Sequence, residues 1–375
     1  MSPPVLTVEQ ERTLLAESSR LNDAARRKFG AGDWWVTARG LEQATSIDVA
    51  RLKASWIKGD AVDDFACGVG GDALGQPIAR EVRLVDRDPV MVAAASHNRV
   101  EAGGSIAGAV VADVGSVERR DVPLLIDPDR RPTSTAGGGE RRVLDVDRMS
   151  PPWDTVVDLI RRRPATVCKL APATPTPRPP VPHHAAWIAR GMKVREQTLL
   201  TGDAIPASVK RCERSAWTIR HGAASVFADD PRNDFDGASE PRAYLVDPPA
   251  AVRAAGLTEA FGAAYGLAAL GGPAGFWTTD DVTTLAERSD TQYAAVRWTG
   301  GMDDRKLRRS IRRLAVGIDN AKVRGGGETP ETLVRRYAEP GAPAATLWIG
   351  VVGRRRFAAL TDPPLNLSHT PSPAR

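Results

Sequence analysis

Between residues 61 and 170 the chain sets down short apolar runs at regular intervals, "AVDDFA", "EVRLVD", "IAGAVVAD", "VPLLID" and "ATVCKL", with helix-like stretches between them. That rhythm predicts parallel strands joined by crossover helices, because parallel neighbours need a long connection that returns over the sheet. The expected fold class is therefore α/β. No other feature of the chain narrows the choice as far.

A glycine-rich turn follows the first run. In "DDFACGVGGDALGQP", Gly68, Gly70 and Gly71 stand between a strand and a helix start. Glycines let the backbone approach a ligand closely, and a helix N-terminus offers unpaired amides, so the turn suits a nucleotide-like ligand. Gly68, Gly70 and Ala73 also satisfy the dinucleotide pattern G-x-G-x-x-G/A. The surrounding acids argue against a nicotinamide dinucleotide. Asp64 lies in the first strand, where a carboxylate suits the ammonium of an amino-acid ligand. Asp86 ends the second strand, 22 residues later, and can accept both hydroxyls of a ribose. Asp113 and Asp127 end the third and fourth strands. All four acids fall at the edge where an open parallel sheet binds its ligand.

At 375 residues the chain is long enough for two or three compact units. Residues 1–56 read as a helical preface, 57–228 as the α/β domain, 229–241 as a linker and 242–375 as a basic α+β domain. The linker follows from "HGAASVFADDPRNDFDGASEP", whose Asp, Asn, Gly and Pro content favours exposed chain. The run "FGAAYGLAALGGPAGFW" is too short and too small-residue-rich to span a membrane and is expected to be a packed helix leading to a turn. Residues 131–142, "RPTSTAGGGERR", and the proline-rich segment 170–182 are expected as loops.

Cys67, Cys168 and Cys212 are far apart and form no C-x-x-C pair, which excludes a disulfide framework and a cysteine zinc site. No metal is expected. Cys168 is assigned to core, and Cys67 to a place against the glycine turn. His183 and His184 follow the proline loop without acidic or cysteine partners at ligand spacing and are expected on a surface loop. The N-terminal stretch lacks a basic segment followed by an apolar core, so the chain is expected in a reducing cytoplasm, away from membranes. Net charge is +5, and residues 290–375 hold 15 Lys/Arg against 8 Asp/Glu, so the basic character belongs to the C-terminal part. A polyanionic partner there follows, with Arg308, Arg309, Arg312, Arg313 and Arg324 as its contacts.

Taken together, "DFACGVGGDALG", "LVDRDP", "IDPDRRP" and "VCKLAP" resemble the successive motifs of class I S-adenosylmethionine-dependent methyltransferases, specifically bacterial ones with a THUMP-like C-terminal domain. "KFGAGDWWVTARGLEQAT", "DPPAAVRAAGL", "DRKLRRSIRRLAVG" and "AKVRGG" extend the likeness over about residues 25 to 360. The resemblance implies a Rossmann-like seven-stranded sheet and S-adenosylmethionine as cofactor, held by Asp64, Cys67, Gly68, Gly70, Gly71, Asp86, Arg87, Asp113 and Val114. It also implies an acceptor site at Asp127, Pro128 and Arg130, and RNA as substrate and partner. Asp129 departs from the pattern, since relatives that methylate bases often carry proline or alanine there. Two other readings stay open: a methyltransferase for a small molecule or protein, and a cofactor-binding RNA-binding module without turnover.

Overall fold

The computed structural model describes residues 4–129, 146, 149–325 and 327–365. The chain forms two compact units, one of residues 1–190 with 194–215 and the other of residues 191–193 with 216–375. No described helix is long and apolar enough to cross a membrane.

The first unit opens with three helices, α1 (Val8–Phe29), α2 (Ala38–Gln43) and α3 (Ile47–Ser55). Thr7 caps α1 reciprocally with Gln10, and Gly30, at φ +101°, ends it. Strand and helix then alternate through β1 (Ala61–Phe65), α4 (Gly71–Leu74), β2 (Glu81–Asp86), α5 (Pro89–Glu101), β3 (Ile106–Val111), β4 (Leu124–Ile126), α6 (Trp153–Arg161) and β5 (Ala165–Leu170). β6 (His183–Arg190) and β7 (Lys193–Gly202) follow without an intervening helix. The strand order is β3-β2-β1-β4-β5-β7-β6, with β1 to β5 parallel and β7 antiparallel to β5. The order reverses between β1 and β4, so their carboxyl ends open a crevice.

The helical preface is part of this unit. A Cβ on Gly75 would stand 2.3 Å from the Ala50 carbonyl carbon, and one on Gly71 would stand 2.8 Å from the Thr45 nitrogen. Glycine at both places lets α4 lie directly under α3. Asn98 on α5 fastens the same region, accepting from the Trp35 amide at 2.7 Å and donating to the Trp35 and Val69 carbonyls at 2.9 Å.

The second unit contains most of β8 (Arg214–Arg220) and all of β9 (Ala223–Asp229). Its other sheet has eight strands: β10 (Gly237–Ala238), β11 (Tyr244–Asp247), β12 (Ala268–Leu270), β13 (Phe276–Thr279), β14 (Gln292–Gly301), β15 (Gly317–Val323), β16 (Ala344–Val352) and β17 (Arg355–Thr361). Their order is β10-β12-β13-β11-β14-β17-β16-β15. Its helices are α7 (Ala250–Ala254), α8 (Thr258–Ala264), α9 (Asp304–Leu314) and α10 (Pro330–Tyr337).

Three expectations need correction. The stretch expected as linker begins with a strand, because Phe227 in β9 finds an apolar seat, edge-on to Phe261 at 5.2 Å. The run expected as a packed helix leading to a turn does hold the end of α8 and a turn at Gly266 (φ +63°), but it then continues into β12, a second turn at Gly271 (φ +78°) and the start of β13. His183 and His184 open β6 and do not lie on a surface loop. The His184 ring is buried between the Cys212 carbonyl, 2.9 Å from Nδ1, and the Ser215 hydroxyl, 2.7 Å from Nε2.

Asp247 ends β11 in the interior of the second unit at 2% exposure, and Lys322 (2.6 Å), Arg324 (3.2 Å) and Arg253 converge on it. Burial opposes its charge, but these cations win and hold its pKa down to about 2. A depressed folded pKa adds stability that is present above the unfolded value near 4 and is lost as pH falls toward the folded one. Urea denaturation of the intact chain should show that loss between about pH 4 and pH 2. Asp247→Asn should remove about 3–5 kcal/mol at pH 7, because it leaves buried cations without their carboxylate.

Candidate active site

The carboxyl ends of the parallel strands open onto a cleft of about 660 Å³ in the first unit. The site begins at the turn after β1. Gly68 and Gly70 have φ of +53° and +83°, the left-handed region that glycine enters freely. A Cβ on Gly70 would stand 3.1 Å from Ala95 on α5, so the turn is also tightly backed. Asp86 at the end of β2 holds the turn in shape. Its Oδ2 accepts from the Gly68 amide and its Oδ1 from the Asp88 amide, each at 3.0 Å. Asp88, whose side chain accepts from Val90 N, is the residue that caps α5. Burial, only partly offset by these amides, raises the pKa of Asp86.

Asp64 is 2% exposed, and its Oδ2 has no hydrogen-bond partner among the described residues. Burial first, then the negative charge of Asp72, pushes its pKa well up; the Lys53 ammonium opposes this, while Asp127 and Asp86 reinforce it. The adjacent Asp63 meets a different fate, because neighbouring strand residues point to opposite faces. Its carboxylate lies 2.5 Å from Arg83 and 2.8 Å from Arg163, wholly inside the sheet's other side.

Six of the expected cofactor residues beyond these, Cys67, Gly68, Gly71, Arg87, Asp113 and Val114, also line the cleft, whereas Gly70 shapes the turn from behind. Burial raises the Cys67 thiol far above its ordinary range, which keeps it neutral and unreactive. Arg87 donates to the Ser150 hydroxyl at 3.1 Å. Asp113 accepts from the Gly115 amide at 2.9 Å and thereby shapes its own turn. Asp127 and Pro128 stand on the cleft wall, and Arg130 and Arg131 lie outside the described residues.

Several residues were not singled out from the sequence. Lys53 on α3 is buried between Asp72 (2.6 Å) and Glu196 on β7 (2.9 Å). Burial works against its charge, but the two carboxylates outweigh it and raise its pKa. Lys169 on β5 lies 2.6 Å from Asp127 and donates to the Gln43 carbonyl at 3.0 Å. Its ammonium is likewise held in the charged form against burial, chiefly by Asp127 and Glu196. Asp129 pairs with Arg39 on α2 at 2.8 Å, so the departure in the post-strand motif ties that wall of the cleft to the preface. A lysine inside the apolar run "ATVCKL", and another on the apolar face of α3 beside Val49, Ala50 and Ala54, were the available signals.

No family model matches the chain. An uncharacterized S-adenosylmethionine-dependent methyltransferase of Mycobacterium tuberculosis, known from strains CDC 1551 and H37Rv, is 28% identical over 337 residues, 88% of this chain and 88% of the relative. A crystal structure of a candidate methyltransferase from Porphyromonas gingivalis W83 has the same fold at a TM-score of 0.67, with 15% identity over 96% of this chain and 92% of that one. The chain is an S-adenosylmethionine-dependent methyltransferase.

The site of this methyltransferase fits its cofactor. Asp64 offers an unpartnered buried carboxylate oxygen, which the cofactor's ammonium can satisfy. Asp86 keeps acceptor capacity for ribose hydroxyls after taking two amides, and the turn at Gly68 and Gly70 leaves room for close backbone approach.

Asp64→Asn should separate stability from binding. A carboxyl whose folded pKa is raised adds stability below the unfolded value near 4 and loses it as pH rises through the folded value. The amide escapes that loss, so the ligand-free variant should melt at or above the wild-type temperature at pH 8. Its affinity for S-adenosylmethionine should fall by about tenfold or more, the loss of one charge-assisted contact of roughly 1.5–3 kcal/mol. Calorimetry and thermal melts check both halves; wild-type affinity in the variant would remove Asp64 from the site.

Proposed function

We propose that the enzyme methylates RNA, with the second unit as a THUMP-like RNA-binding unit. The observation that carries this reading is the outer face of α9. Leu307 and Ile311 are buried, while Arg309, Arg312 and Arg313 are exposed and have no ion-pair partner among the described residues. Three unpaired guanidiniums on one helix suit a phosphate backbone. Arg308 and Arg324 are partly engaged within the unit, by Asp304 at 3.0 Å and by Asp247 at 3.2 Å. Cys67, Cys168 and Cys212 are not joined in disulfides, which accords with work in a reducing cytoplasm.

S-adenosylmethionine, when bound, supplies a methyl group activated by its sulfonium. The protein's part is alignment of the acceptor and exclusion of water. Asp127 stands at the carboxyl end of β4, and the Lys169 ammonium 2.6 Å away fixes its direction. In that pose it acts as a hydrogen-bond acceptor that orients the nucleophilic atom and receives its proton when one must leave. Pro128 stiffens the backbone beside it.

Radiolabelled methyl transfer to total RNA, protein and metabolite fractions tests the substrate class. Label should enter RNA; label confined to protein or metabolites would replace RNA as substrate, and no label anywhere would leave only a binding module. Replacing Arg309, Arg312 and Arg313 together by Gln should weaken RNA binding and flatten its log–log salt dependence by about 2, from roughly 0.7 per phosphate contact on single strands. Asp127→Asn should slow single-turnover methylation by about tenfold to a thousandfold. Its affinity for S-adenosylmethionine should change less than about threefold.

A further inference from the structure

The cleft wall carries both charges, and much of its β5 and β7 side is paired: Arg39 with Asp129, Arg190 with Asp48, and Glu196 with Lys53. Lys169 on β5, Arg195 on β7 and Lys28 from the last turn of α1 stand on that same side. Lys169 is matched by Asp127. The other two cations are not matched. Lys28 donates to the Leu41 and Glu42 carbonyls, the latter at 3.2 Å, and has no carboxylate within ion-pair distance among the described residues. Arg195 is exposed and makes no hydrogen bond or ion pair with a described side chain. The groups that face the Lys28 ammonium are Lys169, Arg195 and Glu42. Burial, then the positive charge of Lys169 and Arg195, brings its pKa down to about 8, and Glu42 offsets this only in part. Closing the C-terminal end of α2 accounts for Lys28 on its own. It does not account for β7 bringing a second cation without a carboxylate partner, Arg195, close enough for its charge to act on Lys28.

We propose that Lys28 and Arg195 form a subsite for a phosphate group of the methyl acceptor, beside Asp127 and on the side of the cleft away from the ribose-binding acid. The assignment of that phosphate to an RNA backbone rests on the reading of the substrate given above. The subsite itself requires only a phosphate within reach of the acceptor atom. Lys28 and Arg195 position the acceptor and leave the chemistry to the atoms around Asp127.

The test is calorimetric titration of the full chain with inorganic pyrophosphate at low ionic strength, for wild type, Lys28→Gln, Lys28→Arg and Arg195→Gln. Each Gln variant should bind about tenfold more weakly, the loss of one charge-assisted contact, and Lys28→Arg should retain most of the affinity. The same proteins are assayed for methyl transfer to RNA, where the Gln variants should raise KM more than they lower kcat. Pyrophosphate binding that needs both residues, with no RNA methylated, supports the subsite and removes RNA as the bearer of the phosphate. RNA methylation with unchanged KM in both Gln variants overturns the subsite and leaves the RNA reading standing. Weakened S-adenosylmethionine binding in Lys28→Gln also overturns it, by giving that ammonium to the cofactor's own carboxylate. Arg195 is on the surface, so Arg195→Gln decides the matter even if Lys28→Gln does not fold: undiminished pyrophosphate affinity there rejects the proposal.

Discussion

Lys53 carries its ammonium into the interior of the first unit, where Asp72 lies 2.6 Å away and Glu196 2.9 Å away. Through it α3, the glycine-turn helix α4 and strand β7 share one charge. Burying three ionised groups is expensive, and the arrangement adds little net stability over an apolar core of the same shape. Its effect is on uniqueness: if α3 shifted by a turn, two carboxylates would be left buried without a cation. The close approach of α4 to α3 at Gly71 and Gly75 depends on the same register. Apolar packing holds the preface on the cofactor turn, where Leu14, Phe29, Trp34 and Leu41 meet Val69 and Leu74 in one buried cluster, and the Lys53 triad fixes the register in which they meet.

Against that matched triad, Asp64 stands out as unmatched. Its carboxyl is buried, near three other acids, with one oxygen lacking a partner. A chain selected for stability alone would not keep it there. Such local conflict belongs at a binding site, where a ligand's positive charge removes it. Lys169 and Asp127 show the complementary solution, in which the cation is supplied by the protein and the acid is held ready in one direction.

Much of this was legible in the residues. The strand rhythm, the glycine turn and the four strand-end acids are local patterns, set by chain periodicity and by the backbone freedom of glycine, and the structure places all four acids on the cleft. Partners drawn from distant segments were not legible. Lys169 meets Asp127 across 42 positions, and Arg39 meets Asp129 across 90. A lysine in an apolar strand carries no local mark of what it will pair with. His184 was misread for a related reason. Its neighbours in sequence are loop-forming prolines, whereas its burial comes from Cys212 and Ser215.

The adjacent pair Asp63 and Asp64 shows where the division falls. Sequence alone determines that they point to opposite faces, because a strand has a period of two. Only the tertiary structure decides their chemistry. On one face Arg83 and Arg163 arrive from β2 and the segment before β5 and neutralise Asp63. On the other face α3 and α4 bring Asp72 and Lys53 near Asp64 but leave one of its oxygens unsatisfied. Local pattern sets the direction of a side chain within a few residues. The charge and solvent it meets there depend on segments far along the chain, and those are fixed by packing.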